Sequence, residues 1–181
     1  MIFYHGSNTL IEKIDLGRSR NRVDFGKGFY LTDKLGTAYS WAVRKAELEG
    51  DGIPTVTAYE VSDDIFALFG LRFMPVPERN WLEFICTNRS MVLQNTGGKE
   101  PRHDYHWVSG PIADDKVVDV VAAYMREEVS AEEAISRLRA MPQTYQVSLH
   151  TSAALGFVDD VNAQYKQLKK GRWTQNWIKS K

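Results

Sequence analysis

Gly26-Lys27-Gly28-Phe29-Tyr30-Leu31-Thr32 is the stretch that best predicts the fold of this chain. Residues 28–32 favour an extended strand. The glycines at its start have no side chain, so other groups can pack closely against the backbone there. A helix is predicted from about residue 34 to residue 49, with Trp41 on its apolar stripe. The pattern therefore predicts that two aromatic rings, those of Tyr30 and Trp41, lie beside each other. Such a pair suits a pocket for a flat, positively charged ring.

A second informative segment is Phe3-Tyr4-His5-Gly6-Ser7, close to the start of the sequence. Residues 2–5 are predicted to form a short apolar strand, which ends in a histidine followed by two small residues. Because Gly6 and Ser7 are small, their backbone can approach a ligand closely.

The remaining elements are dispersed along the chain without the regular alternation of a parallel sheet. Strands are predicted at 2–5, 28–32, 55–61, around 107–108 and at 145–150, and helices at about 34–49, 78–89 and 115–127, after Ser130, and after Ser152. Residues 8–27 and 95–104 are predicted to be polar loops. Thr32 or Asp33 is expected to cap the first helix, and Ser130 with Glu133 forms a capping box. This order predicts an α+β fold with a mixed or antiparallel β core and flanking helices.

Composition indicates a single domain over residues 1–181. The chain is 43% apolar, which is sufficient for one sizeable core. Its 23 basic and 23 acidic residues cancel, so no whole-molecule field attracts it to nucleic acid or membrane. The single cysteine, Cys86, excludes an intramolecular disulfide and is expected on a buried helix face. No apolar run is long enough to span a bilayer, so a cytoplasmic location is expected.

Both opening segments resemble motifs of the ADP-ribosyltransferases. Tyr4-His5-Gly6-Ser7 is similar to the His-Gly-Ser that ends the first core strand in the branch of diphtheria toxin and the poly(ADP-ribose) polymerases. Gly26 to Tyr30 is similar to the Gly-Lys-Gly-Ile-Tyr motif of that branch. Trp41, eleven residues beyond Tyr30, is similar to its second ring-stacking aromatic.

The wider layout resembles the bacterial DUF3990 family, which is grouped with the ADP-ribosyltransferase fold, over about residues 2–158. The resemblance rests on His5-Gly6-Ser7, Asp24-Phe25-Gly26-x-Gly28-Phe29-Tyr30-Leu31-Thr32, Trp81-Leu82-x-Phe84-x-x-x-Asn88-Arg89, Gly110-Pro111-x-Ala113-x-Asp115 and Gln146-x-x-x-His150-Thr151. The joint occurrence of these segments in order carries the assignment, because His-Gly-Ser alone is a weak signal.

The resemblance implies that the protein uses NAD as a co-substrate and cleaves its nicotinamide–ribose bond. That reaction passes through an oxocarbenium-like transition state, so the site must hold the leaving ring and stabilise the ribose cation. By family analogy, His5 bonds the adenosine ribose and the backbone of Gly6 bonds the carboxamide, with Ser7 completing the motif. Tyr30 and Trp41 stack on the nicotinamide ring.

The third catalytic position is Gln146, where diphtheria toxin and the active polymerases carry a glutamate on a late strand. An amide can accept and donate hydrogen bonds, but it has no charge and is a poor general base. A His5-Tyr30-Gln146 set therefore disfavours chain elongation and leaves single transfers possible. Another carboxylate, such as that of Glu83, is an alternative activator of the acceptor.

The expected activity is mono-ADP-ribosylation of a macromolecular acceptor, either protein or nucleic acid. Family context implies a bacterial toxin with a small antitoxin protein as partner. Two alternatives stay open at this point, namely NAD hydrolysis and a catalytically silent module that binds NAD or ADP-ribose. The loops at 8–27, with Arg18, Arg20 and Arg22, and at 93–106 are where acceptor or cofactor contacts are expected.

Several residues also have structural explanations. Tyr30 and Trp41 can be core aromatics, and His150 and Thr151 can complete a strand and cap a helix. His103 and His106 have a spacing compatible with a metal pair, but nothing nearby in the sequence completes a site, so no metal is predicted. The basic, aromatic segment at about 162–181, with Trp173 and Trp177, fits nucleic-acid binding or docking on the body or a partner, and docking is favoured.

Overall fold

The fold is α+β, as the sequence predicts. We describe a computed structural model of the protein over residues 1–89, 103–112, 115–142 and 144–179. The strands are β1 (Ile2–Ser7), β2 (Phe29–Leu31), β3 (Thr55–Val61), β4 (Gly70–Arg72), β5 (Trp107–Ile112), β6 (Thr144–Leu149), β7 (Val158–Lys169), β8 (Arg172–Trp173) and β9 (Ile178–Lys179). The helices are α1 (Leu35–Glu49), α2 (Arg79–Arg89), α3 (Asp115–Met125), α4 (Ala131–Arg139) and α5 (Ser152–Leu155).

The chain divides into two compact units, each built from separate segments. The first unit comprises Met1–Asp15, Tyr30–Leu68 and Thr151–Lys181. The second comprises Leu16–Phe29 and Phe69–His150. The expectation of a single domain stays a prediction.

The first unit contains an antiparallel sheet with α1 on one face. Its strand order is β1-β3-β7-β8, and β9 pairs with β7. The central strand β3 is rich in β-branched residues, with Val56 and Thr57 buried, which suits a strand flanked on both edges. Helix α1 packs Ala38 and Ala42 against Val56. It ends at Gly50, whose left-handed backbone (φ 70°) closes the last turn.

The second unit combines a mixed sheet with helices α2, α3 and α4. Within this unit, β5 pairs antiparallel with β6 and parallel with β4. Trp81 of α2 is almost fully buried and donates its ring N–H to the carbonyl of Pro111 over 2.8 Å. Ser130 caps α4 by accepting from the Glu133 amide, which confirms the predicted N-cap.

The predicted last helix begins at Ser152, as expected, but it has only four residues. Thr151 caps this helix, and the chain then runs as the twelve-residue strand β7, which was not predicted. Pairing with β3 satisfies the backbone of β7 along most of its length. The extended state of this segment therefore depends on tertiary pairing rather than on a local pattern.

Smaller differences concern one cap and one strand. Lys34 is the N-cap residue of α1 and makes no side-chain cap bond, whereas the Thr32 hydroxyl accepts from the Lys34 amide at 3.2 Å. The short strand β4 was not predicted. Residues 95–102 of the predicted loop at 95–104 lie outside the described residues.

In the described part of the chain, no helix is both long and apolar enough to cross a bilayer. Cys86 is half-buried on α2, and burial raises the pKa of its thiol to about 11. The thiol therefore stays protonated at neutral pH, in agreement with the expected inert role.

Helix α1 approaches strand β1 closely at Gly6. A Cβ added to Gly6 would lie 2.1 Å from the Ala38 carbonyl oxygen and 2.9 Å from the Ala42 amide nitrogen. Since both obstacles are backbone atoms, they cannot rotate away. Any larger residue at position 6 must push the helix off the strand.

We therefore expect Gly6→Ala to lower the free energy of unfolding by on the order of 1–3 kcal/mol, through overpacking. Gly36→Ala is the matched control, because a Cβ at position 36 of α1 meets nothing within 4 Å. It should raise stability by roughly 0.5–1 kcal/mol, since alanine favours a helix over glycine. Urea unfolding of both variants tests this, and equal stability changes would contradict the close approach.

Candidate functional site

In the first unit, β1 and the end of β2 are joined at a single isolated bridge, Tyr4↔Thr32. Tyr4 and Thr32 exchange two backbone hydrogen bonds of 2.8 and 3.0 Å. Polar backbone groups alternate in direction along a strand, so those of Gly6 point to the same edge of β1 as those of Tyr4. In the register of the bridge, Gly6 lies across from Tyr30, but the pairing stops short of them. The polar backbone of Gly6 therefore faces an edge at which the ladder has ended.

His5 is held beside this edge by a bond to the second strand. Its Nδ1 lies 2.8 Å from the carbonyl oxygen of Tyr30. A carbonyl can only accept, so Nδ1 carries the proton and Nε2 is the acceptor nitrogen of the neutral ring. The bond thus fixes both the orientation and the tautomer of His5. His5 and Tyr30 are both half-buried, whereas Ser7 is buried.

Helix α1 presents Tyr39 and Trp41 on opposite flanks. Ala38 lies against Gly6, and residues two positions apart on a helix are separated by about 200° around its axis. Tyr39 stacks on Trp173 of β8, with ring centroids 4.2 Å apart, and therefore points along the sheet beyond β3. Trp41 accordingly lies on the opposite flank of α1.

The Trp41 ring attracts a cation within the protein itself. The guanidinium carbon of Arg44 lies 5.5 Å from the ring centroid, in the range of a cation–π contact. Trp41 is half-buried and does not belong to the buried apolar core. Trp41 is therefore a partly exposed ring on the surface of α1.

The C-terminal tryptophans dock on the body of the first unit, which confirms the favoured prediction for this segment. Trp177 stacks on Tyr4, with ring centroids 6.0 Å apart, and Trp173 covers Tyr39. The amine of Lys166 lies 5.2 Å from the Trp177 centroid. Both rings therefore complete the core beside α1 rather than projecting into solvent.

In the second unit, the loop at Gly26-Lys27-Gly28 is anchored by side chains of α2. The Arg89 guanidinium pairs with the Asp24 carboxylate, with Nε 2.6 Å from Oδ1. Asn88 donates to the Asp24 carbonyl at 3.1 Å and to the carbonyl of Phe84 at 3.0 Å. Asp24, Phe25 and Gly26 are all buried, so this anchoring is well shielded from water.

His150 fixes the other end of this loop. Its Nδ1 donates to the carbonyl of Lys27 over 2.9 Å, and its Nε2 accepts from the hydroxyl of Ser148 over 2.7 Å. A Cβ on Gly28 would come within 2.7 Å of the His150 ring, so only glycine fits there. Burial lowers the pKa of the His150 imidazole to about 4, so this ring is neutral at pH 7.

His103 extends this arrangement, and the expectation that it lies in a solvated loop was wrong. Its Nε2 lies 2.8 Å from the carbonyl of Phe25, and its ring stands edge-on to that of His150 at 4.4 Å. The rings of Phe84 and Tyr105 also flank it. His103 therefore anchors the loop at the carbonyl of Phe25. No group of three or more metal-binding side chains occurs among the described residues.

Gln146 lies on β6 in the second unit, opposite Gly110 of β5. Its side chain is only 9% exposed. No hydrogen bond of its side-chain amide to another described residue is seen. Glu83, the alternative carboxylate, is exposed and pairs with Arg79 at 3.5 Å.

The predicted site residues thus fall into two sets. Five of them belong to the first unit, namely His5, Gly6, Ser7, Tyr30 and Trp41. That unit brings His5, Gly6 and Tyr30 together at the end of the β1 bridge. Gln146 belongs to the second unit.

A family model described as "Protein of unknown function (DUF3990)" matches residues 1–159, most of the chain. The chain belongs to the DUF3990 family. No curated protein and no solved structure matches it. The match ends inside β7, so the basic, aromatic hairpin at the C-terminus lies beyond the family model.

The contacts explain many of the residues that carried the resemblance to DUF3990. Asn88 and Arg89 bind Asp24, Trp81 binds the carbonyl of Pro111, and His150 binds the carbonyl of Lys27. These residues support the glycine loop of the second unit. The sequence alone does not reveal these contacts, because bonds from side chains to distant carbonyls leave no periodic signal.

The neutral His150 predicts a pH dependence of stability. The unfolded histidine has a pKa near 6.5 and binds more protons than the folded one, so stability is lost as pH falls from about 6.5 to about 4. The loss from this group is on the order of 3 kcal/mol. His150→Gln should unfold with a shallower pH dependence across this window, measured by urea titration. Parallel stability curves for the two proteins would contradict the neutral anchor.

Proposed function

We propose that this protein is an NAD-dependent mono-ADP-ribosyltransferase. It would cleave the bond between nicotinamide and ribose and transfer one ADP-ribose to a macromolecular acceptor. The proposal rests on the resemblance of its motifs to that enzyme class and on the local geometry of the first unit.

The observation that carries the proposal is the interrupted pairing of β1 and β2 at Gly6. A carboxamide needs one donor and one acceptor side by side, which the N–H and C=O of a single strand residue supply. Gly6 directs both groups to the edge where the Tyr4↔Thr32 bridge has ended. Trp41 lies on the flank of α1 opposite the one that Trp173 covers. A flat amide-bearing cation such as the nicotinamide of NAD matches that combination of groups.

His5 and Tyr30 have complementary tasks in this proposal. The bond from Nδ1 of His5 to the Tyr30 carbonyl fixes the imidazole, which by family analogy would bond a ribose hydroxyl. The Tyr30 ring, half-buried on β2, would pack on the nicotinamide, as Trp41 would from the helix. Rigid placement of both groups lets the site hold the leaving ring without reorganisation.

Gln146 would hold the hydroxyls of the nicotinamide ribose as its cation develops. A neutral amide stabilises the transition state less than a carboxylate, because charge-assisted bonds are about twice as strong. The same neutrality favours single transfer over chain elongation. Transfer then depends more on the acceptor, which must be a good nucleophile or be activated by another group.

A second candidate is a module that binds NAD or ADP-ribose without turning it over, and it is favoured by the neutral Gln146. Incubation with labelled NAD and a bacterial lysate separates the possibilities. Labelled macromolecule supports transfer, free ADP-ribose supports NAD hydrolysis, and unchanged NAD that still binds the protein supports the silent module. A toxin role with a small antitoxin partner is a further part of the proposal, which co-expression with neighbouring genes tests.

Tyr30→Ala should weaken NAD binding roughly tenfold, which corresponds to one lost stacking face of about 1–2 kcal/mol. The apo protein should unfold at nearly the same temperature, because Tyr30 is only half-buried. Tyr30→Phe, which keeps the ring, is the matched control and should bind like wild type. Tryptophan fluorescence provides the measurement, and the quenching should disappear in Trp41→Phe. If Tyr30→Ala is largely unfolded, the ring is a core residue instead.

Gln146→Ala should reduce nicotinamide release by about a hundredfold, as expected for one lost preorganised contact, with little change in NAD affinity. Gln146→Glu should keep or raise the rate. Gln164→Ala, a substitution on an exposed glutamine of β7, is the control and should leave the rate unchanged. Equal rates for wild type and Gln146→Ala would remove Gln146 from the catalytic set.

A further inference from the structure

The charge of the chain is unevenly distributed, although its total is zero. Residues 161–181 contain six basic and no acidic residues, so the rest of the chain has 17 basic and 23 acidic residues. This basic segment forms the end of β7 with β8 and β9, beyond the part matched by the family model. Such asymmetry is typical of a chain that binds an anionic partner locally.

Three of these residues lie together at the tip of the hairpin between β7 and β8. Lys169 and Arg172 are directly opposite each other, and Lys170 occupies the two-residue turn with Gly171. All three are exposed, and none forms an ion pair with a described carboxylate. We call this group, Lys169, Lys170 and Arg172, the basic tip.

The basic tip is locally unfavourable in two ways. Like charges directly across a strand pair repel each other. Lys170 also has a left-handed backbone, with φ 50°, in a turn where Gly171 follows with φ 74°. Asparagine or glycine is the favoured first residue of such a turn, and a lysine there is strained. Charge repulsion and backbone strain both destabilise the exposed basic tip. Their occurrence together indicates that the charges have a function rather than a structural role.

The surroundings of the basic tip favour a polyphosphate over a protein or a lipid surface. The aromatic rings of the segment pack on Tyr4 and Tyr39, so no exposed aromatic anchor accompanies the charge. Protein interfaces are depleted of charge and enriched in aromatic residues at their centre. Binding to a phosphate backbone, in contrast, needs only positive charge and the release of counterions.

We propose that the basic tip is a binding site for the phosphate backbone of nucleic acid. The hairpin projects the three charges from a frame that Trp173 and Trp177 hold on α1 and β1. Since Trp173 and Trp177 are used within the protein, binding rests on phosphate contacts and is not sequence-specific. The proposal does not depend on NAD or on catalysis.

The test uses the full chain and a short fluorescein-labelled RNA of mixed sequence, followed by fluorescence anisotropy without NAD. The logarithm of the binding constant should fall with the logarithm of salt concentration, with a slope of about −2 for three contacts on a single strand. Lys169→Gln with Arg172→Gln should reduce that slope to about −0.7 and weaken binding at low salt at least tenfold. Lys13→Gln with Arg126→Gln removes the same charge elsewhere and should change little.

Lys170→Asn provides a second variant that cannot fail by misfolding, since asparagine suits the turn better than lysine. It should weaken RNA binding while its unfolding temperature stays the same or rises. The proposal is overturned if tip and control variants bind RNA equally. It is also overturned if wild type binds acidic phospholipid vesicles or polyglutamate but not the RNA.

Discussion

The absence of a side chain at residue 6 is the constraint on which the first unit depends. Helix α1 can lie on β1 only because Ala38 and Ala42 approach the strand at a residue without a Cβ. That approach sets the direction of the helix and turns Trp41 and Tyr39 to opposite flanks. One flank is then covered by the C-terminal tryptophans, and the other carries Trp41. The glycine that permits this close packing is also the residue whose backbone groups form the proposed site.

In the second unit, the main constraint is that the glycine loop Gly26-Lys27-Gly28 must be held in one conformation. Glycine gives the backbone freedom, so a rigid Gly26-Lys27-Gly28 needs external support. Asn88 and Arg89 fix its start through Asp24, while His150 fixes its end through the Lys27 carbonyl. These supports prepare the entry into β2.

Local sequence patterns predicted the fold class, α1, α2, α3 and the capped α4, because apolar periodicity and helix caps depend only on residues close together in the chain. The strand β7 was missed, since its state depends on pairing with β3, about a hundred residues earlier in the chain. His103 was misjudged for a similar reason, because its partner is the distant Phe25 carbonyl. The candidate site residues were found through resemblance. The interrupted pairing of β1 and β2 beside Gly6 could not be predicted, because the point at which two strands stop pairing has no sequence signal.

The backbone amide of Gly6 is the most direct reporter of the central claim that a carboxamide binds at the end of this bridge. In a two-dimensional ¹⁵N NMR spectrum of the assigned protein, titration with nicotinamide, and then with NAD, should shift the Gly6 amide resonance and slow its exchange with water. The Gly36 amide, on the open surface of α1, should stay unchanged. Saturating NAD that shifts other resonances but leaves Gly6 unmoved would contradict the account.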